Sequence, residues 1–154
     1  MTTRGIQYLK KHRISHSVIK YDHQEKGAEF AARAVDFSLS RTIKTLVVAL
    51  DHRRYALALM PGDRQLSLKK MAAACDGKKA VMADVATAQR LTGYIVGGIS
   101  PFGTRKPLPA VMDRSLQYAQ EVMINAGCRG VMLKMSSSDI VRLLDLRLAD
   151  LTQH

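Results

Sequence analysis

Lys44-Thr45-Leu46-Val47-Val48-Ala49-Leu50, the polar step Asp51-His52-Arg53-Arg54 and the return Tyr55-Ala56-Leu57-Ala58-Leu59-Met60 together decide the fold. An apolar run of this length, rich in Val and Leu, reads as a strand buried on both faces. The polar step reads as a hairpin turn and residues 55–60 as the returning strand. Pro61-Gly62-Asp63 stops it.

Other elements fall into place on either side. Towards the N-terminus, residues 28–37 are rich in Ala and predict a helix, and polar residues 22–27 separate it from a short strand over 17–21. Before that strand, Thr2 or Thr3 caps a first helix carrying Ile6 and Leu9, with Lys10, Lys11 and Arg13 on its basic face. Towards the C-terminus, Ser67 caps a helix running through Cys75, and Gly77 ends it. Residues 80–82 are a short strand, and Asp84 caps a helix to Arg90. Residues 93–103, GYIVGGISPFG, are too glycine-rich for the interior of an element and too apolar for a casual surface loop. Residues 108–112 predict a strand, after which Asp113 begins another turn or helix. Residues 122–124 and 131–135 form a second hairpin around Asn125-Ala126-Gly127-Cys128-Arg129-Gly130. Ser137 or Ser138 caps a last helix with Ile140, Leu143 and Leu144 on its inner face. No repeat or linker interrupts this order, so residues 1–154 are expected to form one α/β domain. Its sheet should be mixed, strongly curved and barrel-like, flanked by helices.

The charge narrows the partner. Twenty-four Lys and Arg against 13 Asp and Glu leave +11, and a pI near 10.0 favours a polyanion, of which nucleic acid is the usual one. Aromatics make up only 5% of residues and Trp is absent, too few for a single-strand binder built on stacking platforms. The basic pairs Lys10-Lys11, Lys69-Lys70, Lys78-Lys79 and Arg105-Lys106 are dispersed. Singly each reads as a solvated face; together they can supply phosphate contacts. No run of 18 apolar residues occurs, so no membrane helix is expected. The basic N-terminus lacks the apolar core of a secretory signal. Two distant cysteines, Cys75 and Cys128, without a CxxC partner, read as reduced and buried, as in a cytoplasmic protein.

Much chemistry is excluded by motif. The five histidines (12, 16, 23, 52 and 154) show no metal spacing, and HExxH, CxxC and a P-loop are absent. Ser100 lies outside any GxSxG elbow; only His23 or His52, brought near by folding, would give it a base. Two features remain. Lys44, at the entry of an apolar strand, is either a fixed cation for a phosphate or ester carbonyl, or a strand-end lysine snorkelling to water. Gly97 and Gly98 permit either close backbone approach to an anion or a tight structural turn. Asn125-Ala126-Gly127 is the same case in weaker form, since Asn-x-Gly turns are common in hairpins.

Taken together, Tyr21, Phe30, Lys44-Thr45-Leu46-Val47-Val48, Leu66-Ser67-Leu68-Lys69-Lys70, Thr92 to Gly103, Leu108-Pro109 and Asn125 to Gly130 resemble the YbaK/EbsC family. That family includes the cysteinyl-tRNA(Pro) deacylase and the editing domain of some prolyl-tRNA synthetases. The resemblance implies a mixed, barrel-like α/β domain that hydrolyses the ester of mischarged aminoacyl-tRNA, Cys-tRNA(Pro) first, with alanyl or seryl esters, or a non-catalytic tRNA- or synthetase-binding module, as alternatives. It puts Lys44 in the catalytic role, and Tyr21, Phe30, Thr45, Gly97, Gly98, Ser100, Asn125 and Gly127 around the substrate. It implies no metal or cofactor, a mischarged tRNA and prolyl-tRNA synthetase as partners, and no membrane. Two positions depart from the cysteinyl enzyme: Asn125 stands where it has Ser, and Met132 where it has Asp.

Overall fold

The computed structural model describes residues 2–154, His52 by its backbone alone. The first hairpin forms where the apolar runs place it. Strand β2 (Thr42–Leu50) pairs antiparallel with β3 (Arg54–Pro61) through a 3-10 turn at Asp51–Arg53. It begins two residues before Lys44, because Gly62 N–H closes the ladder onto Thr42 C=O at 2.7 Å. Lys44 is therefore inside the strand, opposite Met60, and the expected strand-entry position is corrected by this longer register.

Alternation sends the hairpin's side chains into two cores. Ile43 and Val47 of β2 and Leu57 and Leu59 of β3 point one way, onto Leu9, Phe102 and Ile140. Val48, Ala56, Ala58 and Met60 point the other way, onto Met71 and Ala72 of α3 (Leu68–Ala74). Both faces are dry, as the unbroken apolar pattern requires.

Around the hairpin the sheet is mixed, in the order β1-β7-β6-β2-β3-β5-β8, with β4 off that path against β2. Strands β1 (Ser17–Lys20), β7 (Val131–Met135) and β6 (Val122–Cys128) are antiparallel neighbours. Strand β6 then runs parallel to β2, and β5 (Ala110–Asp113) parallel to β3. Strand β4 (Ala80–Met82) is antiparallel to β2. The sequence did not point to β8 (Arg147–Ala149), a three-residue strand parallel to β5; so short a piece carries no periodicity of its own.

Helix caps follow local chemistry. Thr3 accepts from Ile6 N–H at α1 (Arg4–Lys11), Ser67 from Lys70 N–H at α3, and Asp84 from Thr87 N–H at α4 (Val85–Thr92). Helix α2 (Ala28–Ala34) is shorter than expected, and α5 (Ser137–Leu144) starts from Ser136 without a side-chain cap. Among the described residues no helix is long and apolar enough to cross a membrane.

Asp113 ties the C-terminal segment to the sheet. It is 2% exposed. One carboxylate oxygen accepts from Leu151 N–H (2.8 Å) and the Thr152 hydroxyl (3.1 Å), and the other from Ser115 N–H (3.2 Å). Replacing Asp113 with Ala strands these buried donors, an expected loss of about 3 kcal/mol. Urea unfolding checks it: the midpoint should fall at unchanged slope, and a loss below about 1 kcal/mol would remove Asp113 from this role.

Candidate functional site

One edge of β2 is shared between two strands. Strand β6 pairs with Thr42 and Ile43, and β4 with Val48, Ala49 and Leu50. Ala83 N–H reaches Val47 C=O at 3.0 Å. Between these pairings the edge is open at Lys44, Thr45 and Leu46. Because Thr42 C=O faces β3, alternation turns the peptide groups of Thr45 towards the opening.

The opening is the mouth of a cleft of about 400 Å³. Its walls are largely apolar: Ala28 and Ala31 of α2, Met82, Val85, Ala88, Ile99 and Met132. Among the described residues its only charged lining groups are Lys26 and Lys44. The β2–β6 register puts Thr42 beside Met123, so Lys44 and Asn125, each two residues further on, share one sheet face across the split. Lys44 is half-buried and makes no hydrogen bond or ion pair among the described residues. Burial pushes its ammonium below the ordinary lysine range, and the carboxylate of Asp63 partly opposes that. Asp63 was missed in the sequence; only the β2–β3 register, which sets Ile43 opposite Pro61, brings it near.

Tyr21, Thr45, Gly97 and Asn125 also line the cleft. Burial raises the Tyr21 phenol above its ordinary value. The Thr45 hydroxyl is buried and without a hydrogen-bond partner among the described residues. Phe30 does not line the cleft; its ring is tilted against that of Tyr21, with centroids 6.2 Å apart.

Gly98, Ser100 and Gly127 do not line the cleft. Gly98 N–H is committed to Ile95 C=O at 2.8 Å, and a side chain there would sit 2.8 Å from the Arg129 nitrogen. Gly97 N–H has no intramolecular partner among the described residues, so of the two glycines it is the one with a donor to offer. Ser100 is fully buried and its hydroxyl accepts from Phe102 N–H at 3.2 Å; the His52 side chain considered for it lies outside the described residues. Gly127 packs flat on the Tyr94 ring at φ +108°.

The Asn125-Ala126-Gly127 stretch is not the turn expected from its sequence. It belongs to β6, and the register shifts between Asn125 and Cys128 as a β-bulge, so the hairpin turns at Arg129-Gly130. Asn125 makes this possible: its side-chain oxygen accepts from Gly127 N–H (2.6 Å) and Cys128 N–H (3.0 Å). Arg129, also missed, clamps the glycine loop by donating twice to Val96 C=O, at 3.0 and 2.6 Å. Both cysteines are free thiols and half-buried. No three His, Cys, Asp or Glu side chains gather among the described residues.

The chain is similar to known proteins over most of its length. The model of the aminoacyl-tRNA editing domain matches residues 22–143. The Enterococcus faecalis protein named "Putative Cys-tRNA(Pro)/Cys-tRNA(Cys) deacylase EbsC" is 28% identical over 97% of this chain and 93% of its own. The Escherichia coli "Multifunctional Ser/Thr-tRNA deacylase ProXp-y" is 30% identical over 58% of this chain and 54% of its own. A solved structure described as "a putative trans-editing enzyme for prolyl tRNA synthetase" has a TM-score of 0.87 at 26% identity, over 98% of this chain and 96% of that one. The hypothetical protein APE2540, at TM-score 0.90 and 24% identity, over 98% of this chain and 100% of its own, shares the fold.

The buried ammonium sets a pH signature. The folded state binds fewer protons than the unfolded one between the lowered pKa of Lys44 and the ordinary lysine value. Stability from this group therefore rises with pH across that window. The pH midpoint of Lys44 acylation, followed by peptide mass spectrometry, should lie below the ordinary lysine value. Asp63→Asn should lower it further; a midpoint unchanged or raised by that substitution contradicts the assigned environment.

Proposed function

This chain belongs to the family of aminoacyl-tRNA editing domains, and from that premise we propose that it acts in trans on mischarged tRNA, with Lys44 as the electrostatic centre of ester hydrolysis. One observation carries the assignment: a half-buried ammonium, without an ion-pair partner among the described residues, stands at a largely apolar cleft, beside an open stretch of a buried strand. Such a charge, desolvated before substrate arrives, acts on developing negative charge with little reorganisation.

The aminoacyl ester is already activated, so a water molecule suffices as nucleophile. Water adds to the ester carbonyl, the oxyanion is held by Lys44 and Gly97 N–H, and the tetrahedral species collapses. The free amino acid and the terminal ribose hydroxyl of the tRNA leave. Positioning and oxyanion stabilisation together carry the rate. Tyr21, backed by Phe30, and Met132 bound the space for the amino-acid side chain.

The lining offers no carboxylate among the described residues, so a cationic side chain finds no partner there and small neutral ones fit. We assign cysteine on tRNA(Pro) as the substrate, supported by the name of the relative that spans nearly the whole chain, and prolyl-tRNA synthetase as the enzyme whose errors are cleared. A seryl ester is the second reading. The unpartnered Thr45 hydroxyl favours it, since a buried hydroxyl discriminates best through a hydrogen bond.

Deacylation of Cys-, Ser-, Ala- and Pro-tRNA(Pro) decides between them. Cys-tRNA(Pro) should be cleared fastest, and Lys44→Ala should lower kcat/KM by about 10²–10³. Equal rates for wild type and variant would sink the role of Lys44. A seryl ester cleared fastest would transfer the assignment to the second reading.

A further inference from the structure

A second hollow, larger than the cleft at Lys44, lies away from that lysine. It measures about 800 Å³ and sits at the turn end of the β2–β3 hairpin, between the C-terminal end of α3, the side of α4 and the loop before β5. Five cations line it, Arg53, Arg54, Arg90, Lys106 and Arg147, against the two carboxylates of Asp76 and Asp145. Two of the five hold the structure together: Arg54 donates to Cys75 C=O at 3.1 Å, and Arg147 to Ala74 C=O at 2.8 Å and to Asp76 at 3.2 Å. Arg53, Arg90 and Lys106 have no carboxylate within ion-pair distance among the described residues. These three cations thus come from three separate segments around one concavity, the hairpin turn, α4 and the loop before β5.

The shape and lining select the ligand. A small anion would call for donors converging on one point, whereas these cations are spread around a wide, open hollow. Among the described residues Tyr55 is the only aromatic one in the lining, so bases have little to stack on, and single-stranded nucleic acid is a poor fit. A duplex backbone, read by charge and shape, is a good one. The spacing agrees. Lys44, two residues into β2, and Leu50, at its end, are about 20 Å apart at ~3.3 Å per residue. That is roughly six nucleotides at ~3.4 Å per stacked residue, which passes the single-stranded terminus of a tRNA and reaches its first base pairs.

We propose that this hollow binds the phosphates of the acceptor-stem duplex of the tRNA whose terminal ester lies beside Lys44. The inference rests on the deacylase reading for the identity of the RNA, but it is tested without turnover.

Binding of uncharged tRNA is measured by fluorescence anisotropy across a salt series, with the CCA trinucleotide as a second ligand. Arg90→Gln with Lys106→Gln should raise the Kd for tRNA and flatten log K against log salt by about 2, close to 0.9 per lost contact. Trinucleotide binding should not change. The charge-preserving pair Arg90→Lys with Lys106→Arg should keep the wild-type slope. An unchanged slope in the neutralised variant overturns the proposal. So does an equal flattening by Lys10→Gln with Lys11→Gln on α1, which would assign the effect to overall charge. Loss of slope in the charge-preserving pair would make the effect structural, and equal weakening of trinucleotide binding would deny the duplex. Failure of every deacylation assay would refute the deacylase reading alone, because the salt slope is read without hydrolysis.

Discussion

The cleft exists because one edge of β2 is paired at both ends and left open in the middle. A parallel strand takes its first residues and an antiparallel strand its last. Strand β6 departs towards its bulge at Asn125–Cys128, where Ala126 and Gly127 have no partner on β7 and the strand bends. Strand β4 arrives only at Val48. The peptide groups of Thr45 and the side chain of Lys44 thus border a hollow instead of a neighbour. The hairpin itself is packed on both faces, which keeps the open stretch from closing by a shift of β2.

The wall opposite β2 is held by polar contacts as well as by packing. Asn125 satisfies two N–H groups left over at the bulge, and the next turn delivers Arg129 to Val96 C=O. Gly98 lets the loop lie against the hairpin backbone, where a methyl group would collide with the Arg129 nitrogen. Bulge, clamp and glycine form one unit: each satisfies or excuses a backbone group that the others expose. Through it, a residue in the second hairpin positions a loop more than thirty residues earlier in the chain.

Lys44 sits in tension with this packing. Its environment disfavours the charge that its proposed role needs, and Asp63 offsets only part of that. A lysine with a full ion-pair partner would be calmer and less available to a ligand. In the proposed function the +11 net charge acts at longer range, drawing the polyanion to the surface while the cleft receives its end.

The amino-acid sequence by itself determined the buried hairpin, the caps at Ser67 and Asp84, the strongly positive net charge and, through its resemblance, the family. These depend on periodicity, on side chains that bond backbone a few residues away, and on summed charge, all of which are local or additive. Tertiary structure decided the rest. It brought Asp63 to Lys44, made Asn125-Ala126-Gly127 a bulge instead of a turn, and gave Arg129 to the glycine loop. It also drew Ser100 into the interior and separated Gly97, which faces the cleft, from Gly98, which does not. Each of these outcomes hangs on which strand pairs with which and in what register. Register is set by long-range hydrogen bonds and by the shape of the core, and a single chain of letters does not display it.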